Sequence, residues 1–337
     1  MDANSLPLPK PPVVCYLHHA YPLTAAMAHE NFNDWLFSNY IQLEYSSKEN
    51  TLNFFTFVIC GNCIYIPVMD YKLLDSEFLF TSHTDIIDFI TKSIDMGYYI
   101  LMYLDEFYIP ARSAYKKWNQ RHDTMIFGYN KEEKCLEITG YDDKLNYSKS
   151  CISYSEFNES YNNSINKQND IILFKAKDKL SYKPTYEFDI NNVRDLLEDY
   201  LLSRDTSDKL RIFGNPKKDF VYGIKIYQEV IKYFKNKIAT GENCDIKIPH
   251  LLWEHKKLMV SRIEYLMECG YITDSQELIT SFSDLKSTAL QLRNLVIKYN
   301  ISKKKHLLNS IIEGILQMYE LEKAATEELL NKFYEGA

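Results

Sequence analysis

The run Tyr98–Leu104 (YYILMYL) constrains the fold more than any other stretch. Seven residues without a charge cannot alternate between core and solvent, so the run predicts a strand buried on both faces, inside a sheet. Its flanks agree. Upstream, Ile86, Ile87, Phe89, Ile90 and Ile94 recur at helical spacing. Thr84-Asp85 can cap that helix, and Gly97 can end it. Downstream, His122 opens a second strand, HDTMIFGY, and Asn130–Glu133 makes a turn. Cys135–Tyr141 is a third strand, and Asp142 stands where it ends. A histidine at one strand start and a carboxylate at the end of the next can face each other across a sheet. That is the acid–imidazole half of a nucleophilic triad, in which the carboxylate fixes the ring tautomer. A register slip of one residue would put Tyr141 beside the ring instead.

Around this stretch the chain reads as follows. Residues 1–12 are proline-rich and extended. Val13–Leu17 is a short apolar run that contains Cys15. Pro22 suits the first turn of a helix continuing through Leu23–Glu30, and Trp35–Leu43 is a second apolar stretch. Strands are predicted over 52–59 and 63–68, joined by the hairpin signal Gly61-Asn62. The flanking Cys60 and Cys63 belong to that hairpin. A redox pair needs a helix N-terminus, and a zinc site needs further ligands. After Pro110, Lys116, Lys117, Trp118 and Arg121 form a basic-aromatic cluster that reads as a solvated face. Ser153 and Glu156 form a capping box, Asn162–Asp170 is a polar loop, and Ile171–Ala176 is one more strand. Beyond about residue 185 the period becomes 3.6. Helices are predicted over 189–203, 219–239, 249–269, 274–299 and 303–334, punctuated by Gly214-Asn215-Pro216 and Gly241-Glu242-Asn243. Within them Lys256 and Arg262 are expected to form ion pairs, and His250 and His255 are five apart, the wrong spacing for a helical metal pair.

Composition excludes several functions. A net charge of −7 argues against a general nucleic-acid binder. No window reaches the length of a membrane span, and the N-terminus lacks a basic region followed by an apolar core, so a cytoplasmic protein is expected. The seven cysteines (Cys15, Cys60, Cys63, Cys135, Cys151, Cys244, Cys269) are odd in number and scattered, which predicts reduced thiols. No glycine-rich phosphate loop supports ATP chemistry.

Taken in order, the helix before GYYILMYLDEFYIP, the strands HDTMIFGYN and LEITGYD, and the segment YSKSCISYSEF resemble the papain-like domain of the butirosin biosynthesis protein H family. The resemblance covers residues 10–180 and rests on several elements in sequence. These are an aspartate–aromatic–proline segment (Asp105, Tyr108, Pro110), then His122 with Gly128-Tyr129 behind it, then a strand leading to the acid. It implies an α+β, papain-like, cysteine-protease-type domain over 10–180, followed by a mainly helical domain over 185–337. It implies Cys15, His122 and Asp142 as catalytic residues, with Asp105, Tyr108 and Tyr141 at the substrate. The family's acid can also align with Gly140, which would leave the histidine without an orienter. The implied chemistry moves an acyl group from a phosphopantetheine thioester on an acyl or peptidyl carrier protein, through a cysteine acyl-enzyme, to a small-molecule amine. Aminoglycoside side-chain transfer and the papain-like amide synthetase of closthioamide assembly are examples. No bound cofactor or metal is implied.

The nucleophile leaves alternatives open. In papain-like enzymes the cysteine lies at the N-terminus of the first helix, where the dipole and free N–H groups lower its pKa and bind the oxyanion. Cys15 lies about two turns before a helix beginning at Pro22. Either the helix begins earlier, or Cys15 is a small buried hydrophobe and His19, Ala20 or Tyr21 fills the slot. In the second case the protein is a degenerate relative that binds a carrier protein or scaffolds an assembly line. A cysteine peptidase or amidase is a third function that the same triad would serve.

Overall fold

Along the chain the elements are β1 (Ala3–Ser5), α1 (Leu17–Ala26), α2 (Phe32–Asn39), β2 (Leu43–Ser46), β3 (Thr51–Phe54), β4 (Val58–Cys60), β5 (Cys63–Ile64), β6 (Met69–Asp75), α3 (Ile86–Asp95), β7 (Tyr99–Asp105), β8 (Arg121–Asn130), β9 (Cys135–Tyr141), β10 (Tyr147–Ser153), α4 (Tyr154–Ser164) and β11 (Asp170–Ala176). Then follow α5 (Ile190–Leu202), β12 (Phe220–Tyr222), α6 (Ile226–Thr240), α7 (Lys247–Glu268), α8 (Gln276–Ser302) and α9 (Lys305–Glu335). This computed structural model describes residues 2–60, 63–75, 85–164, 170–178, 186–212, 214–273 and 275–335. The protein is a mixed α+β structure with an antiparallel sheet and C-terminal helices. It divides into two units, Met1–Phe32 with Phe57–Tyr186 and Asn33–Thr56 with Glu187–Ala337. Among the described residues no helix is long and apolar enough to cross a membrane.

The first unit is built on the sheet β10-β9-β8-β7-β11-β6, with the short β1 added to the far end of β8. The apolar run is its interior strand β7, set between β8 (Leu101 opposite Met125) and β11 (Leu101 opposite Ile172). One face packs Ile100, Met102 and Leu104 against Ile90 and Ile94 of α3 and Phe157 and Tyr161 of α4. On the other, Tyr99 stacks on Phe174 at 6.0 Å, and α1 packs against β11 and β5. Cover on both faces is why the run carries no polar alternation. The Asp85 carboxylate caps α3, accepting from Ile87 N (2.8 Å) and Asp88 N (3.0 Å). Gly97, at φ +83°, ends it. Ser153 and Glu156 make the expected capping box on α4. The predicted Thr84, the Gly61-Asn62 turn and residues 165–169 of the polar loop lie outside the described residues.

The second unit contains α5 to α9 and the three-stranded sheet β12-β2-β3. Its membership corrects the sequence reading: residues 33–56 fall within the span expected to be one papain-like domain, yet they belong here. Arg262 of α7, wholly buried, shows why. Its Nε donates to Phe37 O (2.8 Å) and its Nη2 to Tyr40 O (2.7 Å), so it binds the carbonyls that α2 leaves unpaired at its C-terminus. Among the described residues these bonds stand in place of the ion pair expected for Arg262. The strand predicted over 52–59 is in fact β3 and β4, and the division between units falls between Thr56 and Phe57. A helix predicted from 219 starts later, because Gly223 (φ +60°) turns the chain against Tyr200 O, where a Cβ would come within 2.1 Å. β12 takes the residues before that turn.

Lys256 does have an ion-pair partner, Glu322 of α9, and both are buried. Lys256 Nζ also lies 2.9 Å from His255 Nδ1, and His255 Nε2 donates to Ile41 O at 2.8 Å. The Tyr200 and Tyr227 hydroxyls donate to the two Glu322 oxygens. The network thus joins four helices, α5, α6, α7 and α9, to the segment carrying β2.

Candidate active site

Helix α1 begins at Leu17, not at Pro22, which lies inside it. Burial of Leu17 and His19–Ala26 holds a turn that proline chemistry alone would place later. The helix therefore starts two residues after Cys15, and Cys15 precedes the N-cap residue Tyr16. Its side chain is 5% exposed. Next to it, the Tyr141 hydroxyl of β9 donates to Val14 O. Further along α1, the buried Tyr21 hydroxyl lies 3.2 Å from Asp123 O and 3.1 Å from Thr139 O. Burial pushes the Tyr21 pKa well above its ordinary value, and the Asp123 charge adds to that, so it stays a donor. These two tyrosines bring the Cys15 segment and the start of β8 to one end of the sheet.

His122 sits near that start, opposite Leu104, with its side chain 36% exposed. Its Nδ1 is 3.1 Å from Asp123 Oδ1 and 3.6 Å from Glu106 Oε1. Both carboxylates are buried. Burial raises the pKa of each; His122 and Arg112 pull in the opposite direction without cancelling it. With carboxylates against Nδ1, the ring proton is held there, and Nε2 is left as the proton acceptor.

Asp142, the predicted acid, is elsewhere. Its Oδ1 accepts from Lys144 N (2.9 Å) and Asn146 N (2.8 Å), closing the β9–β10 turn. Burial alone would raise its pKa, but these hydrogen bonds outweigh it and hold the carboxyl below the usual range. The β8–β9 ladder ends at Met125 opposite Thr139. Continued, it would set Asp142 across from His122. Instead the strands part around the guanidinium of Arg112, 3% exposed, which donates through Nη1 to Tyr141 O and through Nη2 to Thr139 O, each at 3.0 Å. Its Nε lies 3.6 Å from Glu106 Oε1.

Of the expected substrate residues, Asp105 is occupied by its own loop. Its Oδ1 accepts from Phe107 N (3.0 Å) and Gln120 N (2.9 Å), and its Oδ2 from Asn119 Nδ2 (2.7 Å). It thereby closes both ends of the loop that carries Glu106 and Arg112. Tyr108 is half-buried and meets Phe107 edge-on at 5.0 Å. Tyr141 holds the Cys15 segment, as above. Lys116, Lys117 and Trp118 are exposed and bonded locally, and Arg121 lies over the Tyr103 ring at 4.0 Å.

Glu106, Asp123 and Arg112 are the residues that sequence reasoning missed. One signal was available: each carboxylate directly follows a residue already singled out, at the end of an otherwise apolar strand. Nothing comparable marks Arg112 in its polar loop.

Gly140 fits this arrangement because a Cβ there would come within 2.5 Å of Arg112 Nη2 and 3.0 Å of Tyr21 Oη. Both atoms are already fixed by hydrogen bonds. Gly140→Ala is therefore expected to cost about 2–3 kcal/mol in denaturant melts. A cost below about 0.5 kcal/mol, the range of ordinary surface changes, would show that the wedge is not rigid.

The sequence matches no family model and no curated protein.

Proposed function

We propose that this protein is a thiol acyltransferase or amide synthetase of the papain-like, butirosin H type. It takes an acyl group from a phosphopantetheine thioester on an acyl or peptidyl carrier protein and passes it to a small-molecule amine. The Cys15 thiolate attacks the thioester carbonyl, and the pantetheine thiol leaves with a proton from His122. The amine then attacks the acyl-enzyme, His122 takes the amine proton, and Cys15 is released. One thioester replaces another in the first half, so little energy is lost before the amide forms. The observation that carries this reading is the start of α1 at Leu17, which shortens the offset between Cys15 and the helix start to two residues. The pairing of His122 with Glu106 and Asp123 supports its role as base.

The carboxylates give a direct test. Glu106→Gln is expected to slow acyl transfer by at least about tenfold, because the orienting charge is lost. Asp142→Asn should leave the rate unchanged. Stability should move the other way. The folded pKa of Glu106 is raised, so its contribution to stability is full below the unfolded value of about 4.3 and is lost as pH rises through the folded value. Glutamine stays neutral throughout, so the variant should be at least as stable as wild type at pH 7. A variant both slower and markedly less stable would mean that Glu106 acts as scaffold alone. If Asp142→Asn is the slow variant, the assignment of the acid reverts to Asp142.

One observation favours a second reading, a carrier-binding protein without catalysis: the burial of Cys15. Burial disfavours the thiolate, which is the reactive form. Intact mass after incubation with an acyl-pantetheine thioester separates the two readings, since only the enzyme gains the acyl mass.

A further inference from the structure

β9 and β10 bring two thiols together away from the site just described. Cys135 stands opposite Ser153, and Cys151 opposite Glu137. Side chains alternate faces along a strand, so Cys151 shares the face of Ser153 and is a diagonal neighbour of Cys135. The Cys135 thiol lies 3.9 Å from Glu133 Oε2. Both cysteines are free; Cys135 is buried and Cys151 exposed. Burial first, then the Cys151 and glutamate neighbours, push the Cys135 pKa up to about 11. That keeps it a thiol at neutral pH, unreactive by itself.

We propose that Cys135 and Cys151 form an oxidation site, at which a peroxide converts the two thiols to a cross-strand disulfide that staples the β9–β10 hairpin. The exposed Cys151 sulfur attacks hydrogen peroxide, the O–O bond breaks, and a sulfenic acid and one water result. The Cys135 sulfur then displaces the sulfenic oxygen. The S–S bond forms, the S–O bond breaks, and the hydroxyl leaves with the Cys135 proton as a second water. Two thiols are oxidised by two electrons and one peroxide is reduced. Placement on one face of one hairpin offsets the weak acidity of Cys135 by proximity. Diagonal neighbours, about 7–8 Å apart, lie just beyond the usual span of a disulfide, so the bond requires the strands to shift. Among the described residues β10 is paired on one side only, at the end of the sheet, and is the strand able to close the gap.

The test is a hydrogen peroxide titration of the whole chain, followed by alkylation under denaturing conditions and peptide mapping. The expected product is lighter by two hydrogens, contains linked peptides bearing Cys135 and Cys151, and reverts with dithiothreitol. Its thermal midpoint should rise by roughly 5 °C, since the closed loop restrains the unfolded chain. Cys151→Ser, an exposed change that leaves the fold intact, should abolish the link. Recovery of Cys151 as sulfinic or sulfonic acid with Cys135 still alkylated would overturn the proposal. So would a Cys151–Cys151 link between two copies, or a link from either residue to another cysteine.

Discussion

Alanine at Cys15 is expected to abolish acyl-enzyme formation, and alanine at His122 to slow it by about 10²–10⁴-fold. The two losses have different origins. Without Cys15 there is no sulfur to carry the acyl group, whatever the rest of the site does. Without His122 the sulfur remains at a helix N-terminus, but the proton acceptor is gone, so a slow reaction with rising pH should survive. The fold should persist in both. Cys15→Ala removes one sulfur, and His122 has a partly exposed ring. A labelling time course with an acyl-pantetheine thioester, run on wild type and both variants, measures this. Persistent labelling in Cys15→Ala would remove Cys15 from the mechanism. Absence of labelling in wild type with a cognate donor would leave the carrier-binding reading in its place.

Glu322→Gln is expected to cost the second unit about 3–5 kcal/mol, the effect of stranding a buried charge. Lys256 would stay wholly buried, with His255 Nδ1 as its neighbour and its Glu322 partner lost. Burial already lowers the Lys256 pKa against the opposing pull of Glu322, so removing that pull should drive it towards the neutral amine. Lys256→Met should be costly for the mirror reason, leaving a carboxylate held by two tyrosine hydroxyls. The double variant should recover much of the loss, because glutamine can still accept from Tyr200 while no charge stays behind. Denaturant melts of the four proteins give the coupling; it should exceed about 1 kcal/mol, as for residues sharing one network. Strictly additive losses would mean that the ion pair is no more than two independent contacts.

Features set by local chemistry were legible from residues alone. β7 follows from an uncharged run, α3 from its aspartate cap and its glycine stop, and α4 from a capping box. The long C-terminal helices follow from their period. Features set by distant partners were not. Proline at position 22 points to a helix start, and only the burial of α1 as a whole overrides it. Trp35–Leu43 is equally apolar whichever unit covers it, and Arg262, more than two hundred residues away, decides the matter. Asp142 stands at the position that simple antiparallel pairing would give to the acid. Pairing stops short because an arginine from a separate loop enters between the strands, and no periodicity in β8 or β9 foretells that.

The second unit is discontinuous, and this has a consequence for its synthesis. Residues 33–56 leave the ribosome ahead of the whole of 57–186, whereas their packing partners follow Tyr186. At about 5–20 residues per second, the roughly 280 residues after Thr56 take on the order of 15–55 s to appear. Throughout that interval Trp35, Phe37, Tyr40 and Phe54, all buried in the finished protein, form a hydrophobic stretch with no helix to receive it. The nascent chain therefore passes through a window in which aggregation through this segment competes with folding. A fragment ending at Tyr186 would be held in that window permanently, aggregating through a segment that a cut at the apparent domain boundary cannot remove.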